Sequence, residues 1–427
     1  MVENIIHDGS LKKYEKIKLC IITHSYPQFE GDWRSNFIES LARAYSRNGV
    51  DVTVFVPFAV NFNRKAEDNE GIKIVSYRYV PFASLHTIGY GHSMKLDLII
   101  NLQDLLLMPF LLLVGTIRFS TLLRKERFNI VHAHWAVPNS LIAVLGRFLA
   151  RSHAKIFTSF PGSDVTVITR LGWIGKLLAK VIAKSDYLFC NSSDLKEDIV
   201  RAGIDKDRID FVIYGVDNKK IFFSEKERVA LRQAMGISDN GIVLLMIGRF
   251  VPKKGFSTAF QSLKYIIGNN KNIRLVVIGD GPLKSEYLEI LKKDGTESYV
   301  KFIGEIPTHE LRRYYSACDI FLMPSRRLPS DGLNVVVPEA MACGRPIVAS
   351  NVGGNDLVIF HGVNGYLHAE NDPKQLADLV VRLLENPAMM KRMGEKSLQL
   401  IRERFNWDAI VKYYLERYYA VSSIDAV

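Results

Sequence analysis

At 427 residues the chain is too long for one ordinary hydrophobic core and about right for two α/β domains of roughly 200 residues each. Hydrophobic residues at 48% and charged residues at 24% give the composition of a folded globular protein and exclude a disordered or fibrous chain. The net charge of +11 predicts an anionic partner. With no zinc finger, RNP motif or Arg-rich arm, nucleic acid is set aside, leaving a phosphorylated substrate or an anionic membrane surface.

Residues 1–16 mix acids and bases, and the first apolar run, 17–26, is short and lacks a small-residue cleavage site. No signal peptide is expected, and the protein is placed in the cytoplasm, with peripheral contact at the inner face of the membrane left open. A first strand is predicted at 18–23, then a polar loop over 24–33, a helix over 36–48 ended by Gly49, and a second strand at 52–57. The loop after the first strand carries a single glycine, Gly31, and no GxGxxG pattern, which excludes an NAD(P)-dependent oxidoreductase. The run 105–117 is apolar but falls short of the ~20 residues a spanning helix needs, contains Pro109, and follows Asp97 and Asp104. It predicts a core helix or one lying in a membrane interface, with Lys95, Arg118, Arg124, Lys125 and Arg127 as basic flanks.

Further strands are predicted at 130–134, 155–159 and 187–191, with a helix running from Pro138 to residue 150. Over 170–184, Leu171, Ile174, Leu178, Val181 and Ile182 fall on one helical stripe, with Lys176, Lys180 and Lys184 elsewhere. That pattern fits a solvated basic face or a second membrane contact. The stretch 217–226 lacks periodicity and reads as a linker between domains at 1–216 and 227–404. Strands then resume at 241–247, 273–278, 300–303, 320–324 and 346–350. This alternation predicts two parallel sheets, with ligands bound beyond the carboxyl ends of the strands in a cleft between them. The closing segment 407–420 is amphipathic, and its tyrosines read as packing surface. Cys20, Cys190, Cys318 and Cys343 lie far apart with no CxxC pair, as expected of buried thiols and not of a zinc site.

Two clusters carry chemistry. Gly248-Arg249-Phe250-Val251-Pro252-Lys253-Lys254-Gly255 follows a buried strand, and Arg249 and Lys254 are spaced to converge on one diphosphate. The alternative is a solvated basic turn. Downstream, Asp331 and Glu339 bracket a turn, Gly332-Leu333-Asn334, and a helix start whose free N–H groups suit an anion. Here the alternative is a capping Asp331 and a surface Glu339. His134 ends a strand at the inferred cleft, where it reads as an acceptor or sugar contact or as a structural histidine.

Together these clusters resemble glycosyltransferase family 4, the retaining enzymes of the GT-B fold, over nearly the whole chain. The matching stretches are GRFVPKKG at 248–255, VIGDGPL at 277–283, VKFIGEIP at 300–307, FLMPS at 321–325 and PEAMACGRPIVAS at 338–350. NVGGNDLV, NGYL at 364–367 and FNWDAIVKYY also match, as do IVHAHWAVPNS at 130–140, FPGSDV at 160–165 and YGVD at 214–217. The resemblance implies an α/β GT-B fold, two Rossmann-like domains facing across a deep cleft, with a helix at 405–427 returning to the N-terminal domain.

It also implies that Arg249 and Lys254 hold the donor diphosphate, Glu339 the ribose, and Asp331 the donor sugar. Backbone at Gly332, Leu333 and Asn334 would face sugar and phosphate. Gly248 and Gly281 would lie by the nucleotide, and Gly31, Gly162 and Asp164 on the acceptor side. The implied reaction is front-face substitution with retention and without cofactor or metal. The donor would be a nucleotide sugar, UDP-linked by frequency in the family. The acceptor would be a glycan or lipid-linked molecule of cell-surface polysaccharide synthesis. Three departures stand against the pattern: Asp331 replaces Glu, Pro161 replaces His or Arg, and Leu357 or Asp356 stands where Glu is typical. They leave a second reading, a catalytically weak glycosyltransferase-like binding or partner subunit.

Overall fold

The computed structural model describes residues 17–29, 32, 35–89, 94–95, 99–238, 240–269, 272–327 and 331–422. Two wholly parallel sheets dominate it. The first has seven strands, in spatial order Lys73–Tyr77, Asp51–Pro57, Lys18–Ile22, Ile130–His134, Lys155–Phe160, Tyr187–Cys190 and Ile209–Phe211. The second has six, in order Val300–Gly304, Ile273–Ile278, Ile242–Ile247, Ile320–Met323, Ile347–Ser350 and Gly365–His368. In each sheet the first strand lies inside and the winding reverses beside it. That reversal opens a crevice where loops can hold a ligand. The second sheet's crevice falls between 242–247 and 320–323, so the loops that leave it are those carrying Arg249 and Asp331.

The apolar strands were predicted because sheets buried on both faces read as short continuous apolar runs. Lys73–Tyr77, Ile209–Phe211 and Gly365–His368 went unpredicted. They close sheet edges, and KIVSY, IDF and GYLH are short and broken by polar residues. Helix Glu225–Ala234, capped by the Ser224 hydroxyl, begins within the stretch read as a linker.

The run at 105–117 belongs to a longer helix than expected. Leu102–Glu126 spans 25 residues and contains an 18-residue stretch with a mean hydropathy of 1.9, long and apolar enough by length and composition to cross a membrane. The uninterrupted apolar run ends at Ile117, but the helix continues through turns of mixed polarity to Glu126. One face of this helix, including Leu107, Leu111, Gly115, Phe119 and Leu123, is buried in the domain.

Period-two alternation decides what Ile130–His134 presents to each side. Val131 and Ala133 join the helices over one face, while His132 and His134 point to the other. There they meet helix Trp407–Ser422, which follows the second sheet but packs on the first. The Tyr418 hydroxyl lies 2.7 Å from that of Tyr45 and 2.6 Å from His132 Nδ1, and Tyr413 and Arg417 donate to Asp210. Where the chain crosses between sheets, the Val216 N–H donates to the Phe405 carbonyl at 3.0 Å, so the outgoing and returning segments run side by side.

Candidate functional site

Glycine sets the geometry on the C-terminal side. Gly255 ends the turn Pro252–Lys254 at φ 65°, and a Cβ there would fall 1.7 Å from the Pro324 carbonyl oxygen. Only glycine lets the two loops approach so closely. The Arg326 N–H then donates to the Lys253 carbonyl at 2.8 Å. This seats the lysines on the loop after Met323. Lys253 Nζ lies 3.0 Å from Asp331 Oδ1 and Lys254 Nζ 2.8 Å from Oδ2, while Lys254 also donates to the side-chain oxygen Oδ1 of Asn334. All three charged side chains are largely buried, at 8%, 13% and 9% exposure for Lys253, Lys254 and Asp331.

Burial alone would raise the Asp331 pKa, but the two ammonium groups overcome it and hold the carboxyl well below the usual range. Burial lowers the Lys254 pKa, and although Asp331 opposes this, Lys253 and Arg249 add to the lowering. The cluster is thus a cationic patch with one internal counter-ion. Arg249 lies on its exposed rim. The neighbouring loop closes against it: the Gly248 N–H donates to Ile278 O at 3.0 Å, and a Cβ on Gly281 would meet Phe250 N at 2.7 Å.

Glu339 sits on the short helix Val336–Ala342 and accepts a 2.6 Å hydrogen bond from the Tyr315 hydroxyl. Burial pushes its pKa up to about 7, the tyrosine bond working the other way. Asp331 is ion-paired where the alternative was a helix cap, and Glu339 is half-buried against Tyr315.

On the N-terminal side, Asp164 ties two strand ends together. Its Oδ2 accepts from the Ala136 N–H at 2.7 Å and its Oδ1 from the Gly162 N–H at 3.2 Å. Burial raises its pKa to about 6 against these bonds. His134 is fully buried, with Nδ1 3.2 Å from the Tyr214 hydroxyl. Its Nε2 has no hydrogen-bond partner among the described residues, and burial lowers its pKa to about 3. It is therefore a neutral imidazole at physiological pH. Gly31 lies outside the described residues.

The two halves touch along a seam beside the lysine cluster. The Leu333 N–H donates to Asn191 O at 3.2 Å, the Gly353 N–H to Asp194 Oδ2 at 2.8 Å, and the Ser193 hydroxyl to Asp356 Oδ2 at 2.8 Å. A Cβ on Gly332 would meet Asn191 Oδ1 at 2.1 Å and Pro161 O at 2.3 Å, and one on Gly162 would meet Gly332 N at 3.1 Å. Asp331, Gly332 and Gly162, predicted on opposite sides of a cleft, are neighbours.

Residues 227–399 match the family described as glycosyl transferases group 1, and residues 35–220 match glycosyltransferase family 4. The chain is 30% identical over 309 residues to the D-inositol 3-phosphate glycosyltransferase of Frankia alni, covering 68% of this chain and 74% of that protein. The chain belongs to glycosyltransferase family 4. It is also 28% identical over 301 residues to N-acetyl-alpha-D-glucosaminyl L-malate synthase of Bacillus anthracis, covering 70% of this chain and 76% of the relative. Anabaena HepE, solved in complex with UDP, shares the fold with a TM-score of 0.72 at 18% identity, covering 95% of this chain and 100% of that one. The chain is a glycosyltransferase of GT-B type.

In this family 4 glycosyltransferase the structure brings Lys254, Asp331, Gly332, Leu333 and Asn334 into one cluster. It sets Glu339 behind them against Tyr315. Sequence reasoning passed over Lys253, Tyr315 and Asn191. Lys253 lies inside the motif GRFVPKKG, where the Arg249–Lys254 spacing alone does not single it out. Asn191 was read as the last residue of a strand, although a polar run, Asn191-Ser192-Ser193-Asp194, at a strand's carboxyl end was the available signal.

Proposed function

We propose that this glycosyltransferase moves a sugar from a nucleoside diphosphate sugar, a UDP-sugar first among them, with retention of configuration and without a metal. The acceptor is a glycan or a lipid-linked molecule of cell-surface polysaccharide synthesis. The observation that carries this reading is the buried cluster of Lys253 and Lys254 around Asp331 and Asn334, beside the seam between the domains. As the bond from the sugar's anomeric carbon to the diphosphate oxygen breaks, negative charge grows on the phosphate. Preorganised cations in a water-poor site stabilise that charge without reorganising. Lys254 and Lys253 supply it from within and Arg249 from the rim.

A bound diphosphate competes with Asp331 for the lysines, freeing the carboxylate to accept a hydrogen bond from a donor-sugar hydroxyl. Glu339, once ionised, accepts from the ribose hydroxyls. The acceptor hydroxyl passes its proton to the leaving phosphate oxygen as its own oxygen bonds to the anomeric carbon on the same face. The protein's contribution is orientation and charge, so no side-chain nucleophile is required. HepE, solved with UDP and with UDP-glucose, supports the choice of donor through its shared fold.

A panel of nucleotide sugars, read by slow hydrolysis and by thermal stabilisation, tests the proposal without an acceptor. Stabilisation and hydrolysis confined to one sugar nucleotide are expected. Binding of none at millimolar concentration would sink the assignment. Binding with no transfer to any acceptor would favour the partner-subunit reading.

A further inference from the structure

Three helices of the N-terminal half, Leu102–Glu126, Leu141–Ala150 and Gly172–Ile182, lie side by side over one face of the first sheet. Cys20, Ile22, Val131, Ala133 and Ile156 on that face pack beneath the first two, and Phe160, Leu188 and Cys190 beneath the third. Gly115 lets the first helix close on Ile142, and Gly146 lets the second close on Phe119. The outer surface of this layer is apolar where a solvated protein would be polar.

Leu102, Leu106, Phe110, Leu113 and Ile117 recur every three or four residues along one outward stripe, with exposures of 71%, 65%, 54%, 61% and 47%. Phe148 on the second helix is 85% exposed and Trp173 on the third 75%. Large apolar side chains left exposed on three neighbouring helices mark an interaction surface.

Charge names the partner. From residue 102 to 184 the acids are Asp104, Glu126 and Asp164. Asp104 and Asp164 are buried, and Glu126 is paired with Lys18 at 2.9 Å. The exposed cations are many: Arg118, Lys125, Lys176, Lys180 and Lys184 flank the apolar stripe. Where the first two helices end, Arg124, Arg127, Arg151 and Lys155 line a cavity of about 500 Å³, wide enough for a phosphate-bearing headgroup.

We propose that this three-helix layer docks on a bilayer containing anionic phospholipid. It lies in the plane of the interface with Leu106, Phe110, Leu113, Phe148 and Trp173 at the boundary between headgroups and acyl chains, and with the surrounding cations on lipid phosphates. The first helix does not cross the bilayer: its inner face is part of the domain core, and Asp104 is hydrogen-bonded to the Thr87 hydroxyl. The second helix starts just beyond the carboxyl end of Ile130–His134, so the layer reaches the sheet edge where the cleft opens. A lipid-borne acceptor would then approach from the membrane. That consequence, unlike the docking itself, rests on the proposed function.

The test is flotation of the full chain with phosphatidylcholine vesicles and with vesicles carrying about 30% phosphatidylglycerol. Wild type is expected to float with the anionic vesicles and to be released by salt. Leu106→Glu with Phe110→Glu should lower the bound fraction at least about tenfold. Lys176→Glu with Lys180→Glu should do so less steeply. Leu288→Glu, an exposed apolar residue on the other domain, should float as wild type, and all variants should keep the wild-type melting temperature and UDP-induced stabilisation. Three results would overturn the proposal: wild type remaining unbound with both vesicle types, the Leu106/Phe110 double variant floating like wild type, or wild type forming a dimer that this variant dissolves with no vesicle binding. If UDP binding fails while flotation succeeds, the donor assignment falls and the docking surface stands.

Discussion

Replacing Asp331 with Asn removes the anion from between two buried ammonium groups. The separations are 3.0 and 2.8 Å, and at an effective dielectric near 20 each attraction is worth about 5–6 kcal/mol before desolvation is counted. Desolvation offsets much of this, so the net loss on removing one partner from a buried ionic cluster is ~3–5 kcal/mol. For a domain of roughly 200 residues that lowers Tm by about 6–15 °C. The same substitution removes the carboxylate that competes with a diphosphate for Lys254. UDP should therefore raise the variant's Tm more than that of wild type, although sugar transfer falls. Thermal melts with and without UDP, alongside a transfer assay, measure all three quantities. A variant melting within about 1 °C of wild type, or gaining less from UDP, would refute the reasoning. The pH dependence has the matching sign. Because the Asp331 pKa is depressed in the folded state, its contribution is whole above the ordinary carboxylate value of about 4 and is lost as pH falls through the folded value.

Two further outcomes are expected. Burial raises the Glu339 pKa to about 7, so in the free protein its stabilising contribution is whole below its ordinary value of about 4 and is lost as pH rises through about 7. Ribose recognition needs the ionised form, so UDP affinity by calorimetry should strengthen from about pH 6 to about pH 8, and Glu339→Gln should flatten that profile. Gly332→Ala places a methyl group against Asn191 Oδ1 and Pro161 O, at 2.1 and 2.3 Å, and should hold the seam apart. It should lower kcat about 100-fold while the Kd for UDP changes little, and a wild-type kcat would remove the seam from the catalytic account.

Much of this architecture was readable because each sheet is buried on both faces, so strands such as Ile242–Ile247 and Ile273–Ile278 stand out as apolar runs. Of the four strands at the edges of the two sheets, Val300–Gly304 was predicted, and the other three escaped because an edge needs fewer apolar residues, as KIVSY shows. The site was legible as motifs but not as partners. Adjacent lysines 253 and 254 both reach Asp331, a pairing across 77 and 78 residues that no local spacing encodes. Asp164 bonds the local Gly162 N–H and also the Ala136 N–H 28 residues away, and no local spacing encodes the second contact. Helix Leu102–Glu126 is apolar on both its buried and its outward faces. The sequence showed that hydropathy but not which residues the domain would cover.

The central claim is that the turn at 252–254 recognises the donor's diphosphate, and calorimetric titration of wild type and Lys254→Ala with UDP and with uridine tests it most directly. The expected result is a loss of about 100-fold in UDP affinity with uridine affinity unchanged, the scale of a lost charge-assisted contact in a buried site. Equal weakening of both ligands, or no weakening of UDP, would contradict it.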